Sequence, residues 1–284
     1  MHFVFYEATR YGGSSLKRVI TGLLLGFLCI LLVIYATAFW FFVIVASTVS
    51  LALLEYYRIT ASQDKGLLTL GILLGAIVPI IIYFLGLKVF PGYLIFAVFF
   101  IFSYCLFIKK RANDPNPLVS VTSHIGIGVL GVIYIAFSLS HLIVLRELER
   151  GSSWILFLAF IIAANDTFAY YIGRGIGRHK LSPLVSPGKT VEGAAGGLMG
   201  GIIAAAAFQH FFLTQIALIE TLLLAVFIGI VGQFSDLFES LLKRSAGVKD
   251  SGNILPGHGG VLDRVDSLIF PIPFLYYYLI IFRI

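Results

Sequence analysis

The sequence predicts an all-α, polytopic integral membrane protein with about nine transmembrane helices. Two observations predict this fold class. The composition is 59% hydrophobic and only 12% charged, whereas soluble domains carry roughly 25% charged residues. The chain also contains repeated apolar stretches close to the length of about 20 residues that one membrane-spanning helix requires.

Nine apolar stretches are candidates for spans. Residues 19–54 form one long uncharged run, which we divide at a turn near residues 35–38 because the run is too long for one helix. The predicted spans are residues 19–35, 38–55, 67–86, 90–108, 120–144, 153–172, 193–213, 216–238 and 267–282.

The distribution of Lys and Arg predicts the orientation of these spans. With nine spans, 16 of the 20 basic residues fall on the side of the N-terminus. Retained cytoplasmic loops are rich in Lys and Arg. We therefore expect a multi-pass protein of the cell inner or plasma membrane, with a cytoplasmic N-terminus and an extracytoplasmic C-terminus.

The chain is expected to divide into two parts without a soluble domain. A proline-containing turn at residues 113–117 cannot continue a helix. We interpret residues 1–115 as a scaffold of about four helices and residues 116–284 as a catalytic half of about five helices. The sizeable polar segments, which all fall on the predicted cytoplasmic side, are residues 56–66, 109–119, 173–192 and 243–266.

Charge and cysteine content exclude some functions. The net charge of +6 arises from short loops that flank spans, which indicates membrane topology and attraction to lipid headgroups and not nucleic-acid binding. Cys29 and Cys105 lie in apolar stretches without CxxC or Cys/His spacing, so neither a disulfide framework nor a zinc site is expected.

Acidic side chains cluster around the last two predicted spans. Asp236, Glu239 and Lys243 share one face of the eighth span if it stays helical, and Asp263 and Asp266 lie where the ninth begins. One alternative is that these acids only pair with neighbouring Lys and Arg. The other is a site for a hard cation such as Mg²⁺, which binds one or two carboxylates together with substrate phosphates.

The sixth span and the loop after it carry a second polar group. Asp166 lies within the span beside Asn165, where an ionisable residue is expected to face a hydrated cavity unless neighbouring helices satisfy it. The following loop, GRGIGRHKLSPLVSPGKTVEG, supplies four cations, and its Ser186 and Thr190 supply hydroxyl groups ahead of a predicted helix start. This composition predicts a phosphate-binding loop. It is not a P-loop, since the required earlier glycine is absent and we expect no strand upstream.

One run joins these features. Residues 240–266 read SLLKRSAGVKDSGNILPGHGGVLDRVD and resemble the whole signature of the phosphatidate cytidylyltransferases, also called CDP-diacylglycerol synthases. The blocks at residues 165–170, 186–193 and 232–240, and Glu55 before two tyrosines, are similar to those of the same family.

The resemblance implies a reaction of CTP with phosphatidic acid that gives CDP-diacylglycerol and pyrophosphate in phospholipid biosynthesis. It also implies a divalent metal, expected to be Mg²⁺ in one of two cation sites, with the second ion left open. The expected metal ligands are Asp236, Asp263, Asp166 and Asp250. Which acid binds which ion stays open.

We expect the remaining site residues to fall into two groups. The catalytic candidates are Lys243, Arg244, Lys249, His258 and Arg264. The candidates for substrate binding are Asn165, Lys180, Ser186, Lys189, Thr190, Glu192 and Ser240. His258 has three open roles: a phosphate contact, a proton carrier, or a cap on a turn.

The expected partners are CTP, phosphatidic acid and membrane lipids, with no nucleic acid; a homodimer is an open alternative for the assembly. Two other functions are alternatives for a membrane protein with clustered acids. An ion-coupled transporter is disfavoured because the acids gather at one membrane side and no internal repeat is evident. A CDP-alcohol phosphatidyltransferase-like enzyme is disfavoured because its aspartate-glycine and alanine-arginine pattern is absent.

Overall fold

The computed structural model describes residues 26–108, 116–254 and 259–283, and this part of the chain is almost entirely helical. The α-helices are α1 (Gly26–Tyr35), α2 (Ala38–Thr60), α3 (Lys65–Leu85), α4 (Phe90–Ser103), α5 (Pro117–Leu130), α6 (Ser138–Glu147), α7 (Gly151–Ile176), α8 (Val191–Phe212), α9 (Leu218–Ser245), α10 (Leu262–Ile269) and α11 (Pro271–Phe282). Wider π-helical turns at Tyr104–Ile108 and Gly131–Phe137 extend α4 and join α5 to α6.

Eight helical segments of the described chain are long and apolar enough to cross a membrane. They correspond to the eight predicted spans from residue 38 onward. The first predicted span, residues 19–35, lies partly outside the described residues, and its described part is the short apolar helix α1. The predicted fold class, an all-α polytopic membrane protein, is confirmed.

The N-terminal helices pack around the π-helical turn at Gly131–Phe137. The hydroxyl groups of Tyr56 and Tyr57 donate to the carbonyl oxygens of Ile127 and Gly128 at 2.9 and 2.7 Å, and both tyrosines are fully buried. Buried polar groups in an apolar interior need such partners. These bonds fix the C-terminal part of α2 against α5. Glu55 lies in this part of α2, which is predicted to be near the cytoplasmic side.

Helices α7 and α8 approach each other closely along a row of glycines. The buried glycines of α8 are Gly193, Gly196, Gly197, Gly200 and Gly201. A Cβ added to Gly197 would lie 2.8 Å from the carbonyl oxygen of Asn165, so only glycine allows this approach. Small residues at helix interfaces permit the close packing on which membrane helices depend.

A short antiparallel hairpin joins α7 to α8. Strands β1 (Lys180–Ser182) and β2 (Ser186–Thr190) pair in the register Lys180 with Thr190 and Ser182 with Ser186. We did not predict these strands. Helix α7 is also longer than the predicted span, and it continues without a break through Asn165 and Asp166. The hairpin therefore starts directly above the end of α7.

The last span divides into α10 and α11 at Phe270. The Ser235 hydroxyl of α9 donates to the carbonyl oxygen of Asp266 and accepts from the Phe270 amide at 3.3 Å. A side chain inserted into the helical hydrogen-bond ladder is a recognised cause of a kink. Pro271 follows, and it has no amide to continue the ladder. The two hydrogen bonds of Ser235 at this break hold the end of α10 against α9.

Candidate active site

One cavity of about 630 Å³ lies between the hairpin end of α7, the hairpin itself, the start of α8, the last turns of α9, and α10. This volume is in the range of about 300–1,000 Å³ that is typical of small-molecule sites. Its polar lining residues are Asp166, Tyr170, Arg174, Ser186, Lys189, Thr190, Gln233, Asp236, Asp263, Asp266 and Ser267. The structure thus brings together residues from the sixth predicted span, the loop after it and the last two predicted spans.

The depth of the cavity is set by Asp166. Ten residues of α7 separate Asp166 from Ile176, which corresponds to about 15 Å along a helix. Asp166 is exposed to the cavity, and the Ser267 hydroxyl lies 3.5 Å from its carboxylate. The cavity therefore reaches from the polar hairpin to well below the end of an apolar helix.

Lys189 of the hairpin and Arg174 of α7 form the cationic wall of the cavity. Lys189 on β2 forms an ion pair with Asp236 on α9, which ties the hairpin to the opposite wall. Arg174, in the last turn of α7, lies at the same cavity and donates to the Tyr170 hydroxyl at 3.1 Å. An ammonium group has three donors, so Lys189 retains protons for another acceptor while it contacts Asp236.

Thr190 and Glu192 fix the start of α8. The Thr190 hydroxyl oxygen accepts from the Gly193 amide at 3.1 Å, which is an N-cap, and Thr190 also lines the cavity. The Glu192 carboxylate accepts from the backbone amides of Arg178 and His179 at 3.0 and 3.2 Å. Glu192 is outside the cavity lining and holds the chain between α7 and β1.

Asn165 connects helices at the back of the cavity. Its side-chain amide donates to the Gly229 carbonyl at 3.1 Å, and its oxygen accepts from Gln233 at 2.9 Å. Gln233 also donates to the Ala194 carbonyl at 2.9 Å and lines the cavity. Gln233 was missed from the sequence, although a lone amide within the apolar span 216–238 is a signal for it.

Helix α9 stays helical to Ser245, so Asp236, Glu239, Ser240 and Lys243 are arranged on its surface as predicted. Asp236 faces the cavity, and the Ser240 hydroxyl lies 3.4 Å from its carboxylate. Glu239 is completely buried behind it. One helix face therefore carries both a cavity carboxylate and a buried one.

Lys243 bridges two carboxylates. Its ammonium nitrogen lies 2.6 Å from the Glu239 carboxylate and 2.7 Å from that of Asp263. Asp263 also accepts from the amide and hydroxyl of Ser251, at 3.0 and 2.9 Å, and from the Gly260 amide at 2.8 Å. Asp263 lines the cavity and at the same time anchors the connection between α9 and α10.

Several predicted site residues are outside the cavity lining. Lys180, Arg244, Lys249, Asp250 and Arg264 are exposed. The Arg244 guanidinium donates to the carbonyl oxygens of Val185 and Val248, which ties the hairpin tip to the end of α9. His258 lies outside the described residues. The roles expected for these residues stay predictions.

The donor set of the cavity suits a hard cation and a phosphate-bearing ligand. Asp166, Asp236, Asp263 and Asp266 offer only oxygen ligands. Within the described part of the chain, no three His, Cys, Asp or Glu side chains are grouped closely enough to hold a metal by themselves. Mg²⁺ usually takes one or two carboxylates and completes its shell with water and substrate phosphates. The residues present fit that kind of site.

Comparisons with known proteins agree with this chemistry. The cytidylyltransferase family matches residues 16–282. A phosphatidate cytidylyltransferase of Bacillus subtilis is 40% identical over 66% of this chain and 67% of its own length. A phosphatidate cytidylyltransferase of Staphylococcus saprophyticus is 39% identical over 62% and 64%, respectively. An uncharacterized protein of Escherichia coli is 35% identical over 81% of this chain and 75% of its own length. The aligned region spans about two thirds of the length of the two named enzymes.

Proposed function

Because this chain belongs to the cytidylyltransferase family, we propose that it transfers the cytidylyl group of CTP to phosphatidic acid. The products are CDP-diacylglycerol and pyrophosphate. The observation that carries this proposal is the cavity, which combines Lys189 of the hairpin and Arg174 of α7 with four aspartates. A water-soluble nucleotide and the phosphate of a membrane lipid can meet there while the acyl chains stay in the bilayer.

The reaction needs no nucleophile from the protein. A phosphate oxygen of phosphatidic acid is already anionic and forms a bond to the α-phosphorus of CTP. The bond between the α-phosphorus and the bridging oxygen breaks, and pyrophosphate leaves with that electron pair. Both substrates are anions, so the main requirements are to position them and to neutralise their charge.

Lys189 and Arg174 are the cations best placed for this task, since both line the cavity. Lys189 is held at the wall by its ion pair with Asp236, so its position is fixed before substrate binds. Ser186 and Thr190 supply hydroxyl donors for phosphate oxygens on the same side. Lys243 acts on the site through Asp263, which it holds in place.

We assign the metal to the cavity aspartates, with Asp166 and Asp236 as the leading ligands. The Asp263 carboxylate already accepts from Lys243, Ser251 and Gly260, so fewer of its lone pairs are free for a cation. When bound, Mg²⁺ would neutralise phosphate charge and polarise the reacting phosphoryl group.

The active site is proposed to face the cytoplasm of the inner or plasma membrane. The support is the distribution of charge: 16 of the 20 Lys and Arg residues fall on the side of the hairpin. This side gives access to cytoplasmic CTP.

Purified protein in liposomes tests the proposal. With CTP, phosphatidic acid and Mg²⁺, CDP-diacylglycerol should form, and omission of either substrate or addition of a chelator should stop it. The variant Glu149→Gln should be as active as the parent protein, because Glu149 is exposed at the opposite membrane face. Folded protein that turns over neither CTP nor a related nucleotide would contradict the proposed function.

A further inference from the structure

A buried carboxylate of the N-terminal half contacts the polar connection between α9 and α10. Glu55 on α2 is only 1% exposed. Its two oxygens accept from the backbone amides of Val261 and Leu262, at 3.0 and 2.8 Å, and from the Ser251 hydroxyl at 3.1 Å. These partners are about 200 positions away in the sequence, and none of them belongs to the scaffold half in which Glu55 lies.

The contacts place negative charge at the start of α10. The first amides of a helix have no partner within the helix, and an anion there is favoured by the helix dipole. Glu55 satisfies the Leu262 amide and the Val261 amide before it. It therefore fixes where α10 begins, and with it the position of Asp263 one residue further on.

Ser251 connects Glu55 to the cavity. Its hydroxyl lies 3.1 Å from the Glu55 carboxylate and 2.9 Å from that of Asp263. Asp263 lines the cavity and contacts Lys243 at 2.7 Å. A chain of contacts thus runs from α2 through Ser251 to a carboxylate of the site.

Two glycines of the connection fit closely around Glu55. A Cβ added to Gly252 would lie 2.6 Å from a carboxylate oxygen, and one added to Gly260 would lie 2.7 Å from its carboxyl carbon. At separations this short, a side chain at either position would have to displace the Glu55 carboxylate from its present place. The backbone at these two glycines therefore passes close to the carboxylate on both sides of residues 253–259.

We propose that Glu55 is a positioning residue, which holds Ser251 and the start of α10 in place and thereby sets Asp263 at the cavity. Its effect on turnover rests on the proposed function, whereas its effect on the connection does not. The N-terminal scaffold would then supply part of the site's geometry without touching substrate.

Hydrogen exchange of purified protein in detergent tests this directly. In Glu55→Gln, an amide NH₂ group replaces one carboxylate oxygen. This hydrogen-bond donor then faces a backbone N–H donor in place of the acceptor that was there. Amides in residues 259–266 should exchange at least about tenfold faster than in the parent protein, while those of α7 and α8 stay unchanged. Ser251→Ala, a smaller change on the same chain of contacts, should give the same pattern more weakly. Glu149→Gln should exchange like the parent.

A kinetic measurement separates positioning from a general loss of stability. For folded Glu55→Gln, the KM for CTP should rise about tenfold, which corresponds to about 1.4 kcal/mol. A merely structural role would lower the amount of folded protein and leave KM unchanged.

Unchanged exchange of residues 259–266 in both Glu55→Gln and Ser251→Ala would overturn the proposal. If Glu55→Gln does not fold, Ser251→Ala alone decides it by the same criterion. Faster exchange in a protein whose parent form shows no turnover would support the positioning role and refute the proposed function instead.

Discussion

Replacing Lys243 with methionine should strongly destabilise the protein, because it removes the counter-ion of a fully buried carboxylate. The Glu239 side chain is 0% exposed, and the Lys243 ammonium lies 2.6 Å from it. The same ammonium lies 2.7 Å from Asp263. Removing one partner of a buried ion pair costs about 3–5 kcal/mol, since the remaining charge has neither water nor a counter-ion.

Thermal unfolding in detergent measures this loss. At about 2–4 °C per kcal/mol, the midpoint of Lys243→Met should fall by roughly 6–20 °C. Lys88→Met is the matched control: Lys88 is exposed at the opposite end of the bundle, and its replacement should change stability by less than about 0.5 kcal/mol.

A double-mutant cycle identifies the cause. Adding Glu239→Gln to Lys243→Met removes the isolated charge, so the double variant should recover part of the lost stability, with a coupling of about 1–3 kcal/mol. If Lys243→Met is as stable as Lys88→Met, or if the two single losses add in the double variant, the ion pair does not stabilise the fold as argued here.

Three further predictions concern the cavity, the topology and the packing. Asp236→Asn should lower turnover by roughly 10²-fold or more at unchanged stability, because the amide lacks the charge that a hard cation needs; activity close to normal would move the metal to other aspartates. In a background without the native cysteines, a thiol reagent should label Leu184→Cys at the hairpin tip from the cytoplasmic side and Thr214→Cys from the other side. Labelling of both cysteines from one side would contradict a membrane-spanning α8. Gly197→Ala should lower the free energy of unfolding by about 1–3 kcal/mol, since its Cβ would lie 3.0 Å from that of Ala169. The control Gly175→Ala should be neutral, because a Cβ at Gly175 meets nothing within 4 Å. Equal unfolding midpoints of the two variants would contradict close packing of α7 and α8 at Gly197.

Hydropathy predicted the membrane spans because the bilayer fixes the length of an apolar helix. It failed at helix ends that carry polar side chains. Helix α9 continues to Ser245, well past the predicted end at residue 238, and its last turns contact α10 through Lys243 and the hairpin through Arg244. Residues 239–245 belong to the helix, but several of them are polar, so they do not extend the apolar stretch from which the span was predicted.

The hairpin and the break in the last span depend on tertiary contacts. Strands of three and five residues that contain a proline and charged residues show no alternation of apolar side chains to predict them. The break at Phe270 depends on the Ser235 hydroxyl, which comes from another helix. Local sequence does not specify the hairpin, and at the break it offers only the prolines Pro271 and Pro273 as a signal.

The candidate site was predictable in its composition but not in its connections. The aspartates and hairpin cations stood out because charge within or beside apolar spans is rare and costly. Glu55 carried the same signal, yet its partners at Ser251, Val261 and Leu262 lie about 200 positions away. Contacts over such a separation become visible only in the folded chain.

The most direct test of the proposed reaction follows the phosphorus atoms of CTP. Protein in liposomes containing phosphatidic acid should be supplied with Mg²⁺ and CTP labelled at either the α- or the γ-phosphate. Attack at the α-phosphorus predicts that the α-label enters the lipid fraction as CDP-diacylglycerol, while the γ-label is released as water-soluble pyrophosphate. Recovery of the γ-label in lipid, or of neither label from folded protein, would contradict cytidylyl transfer.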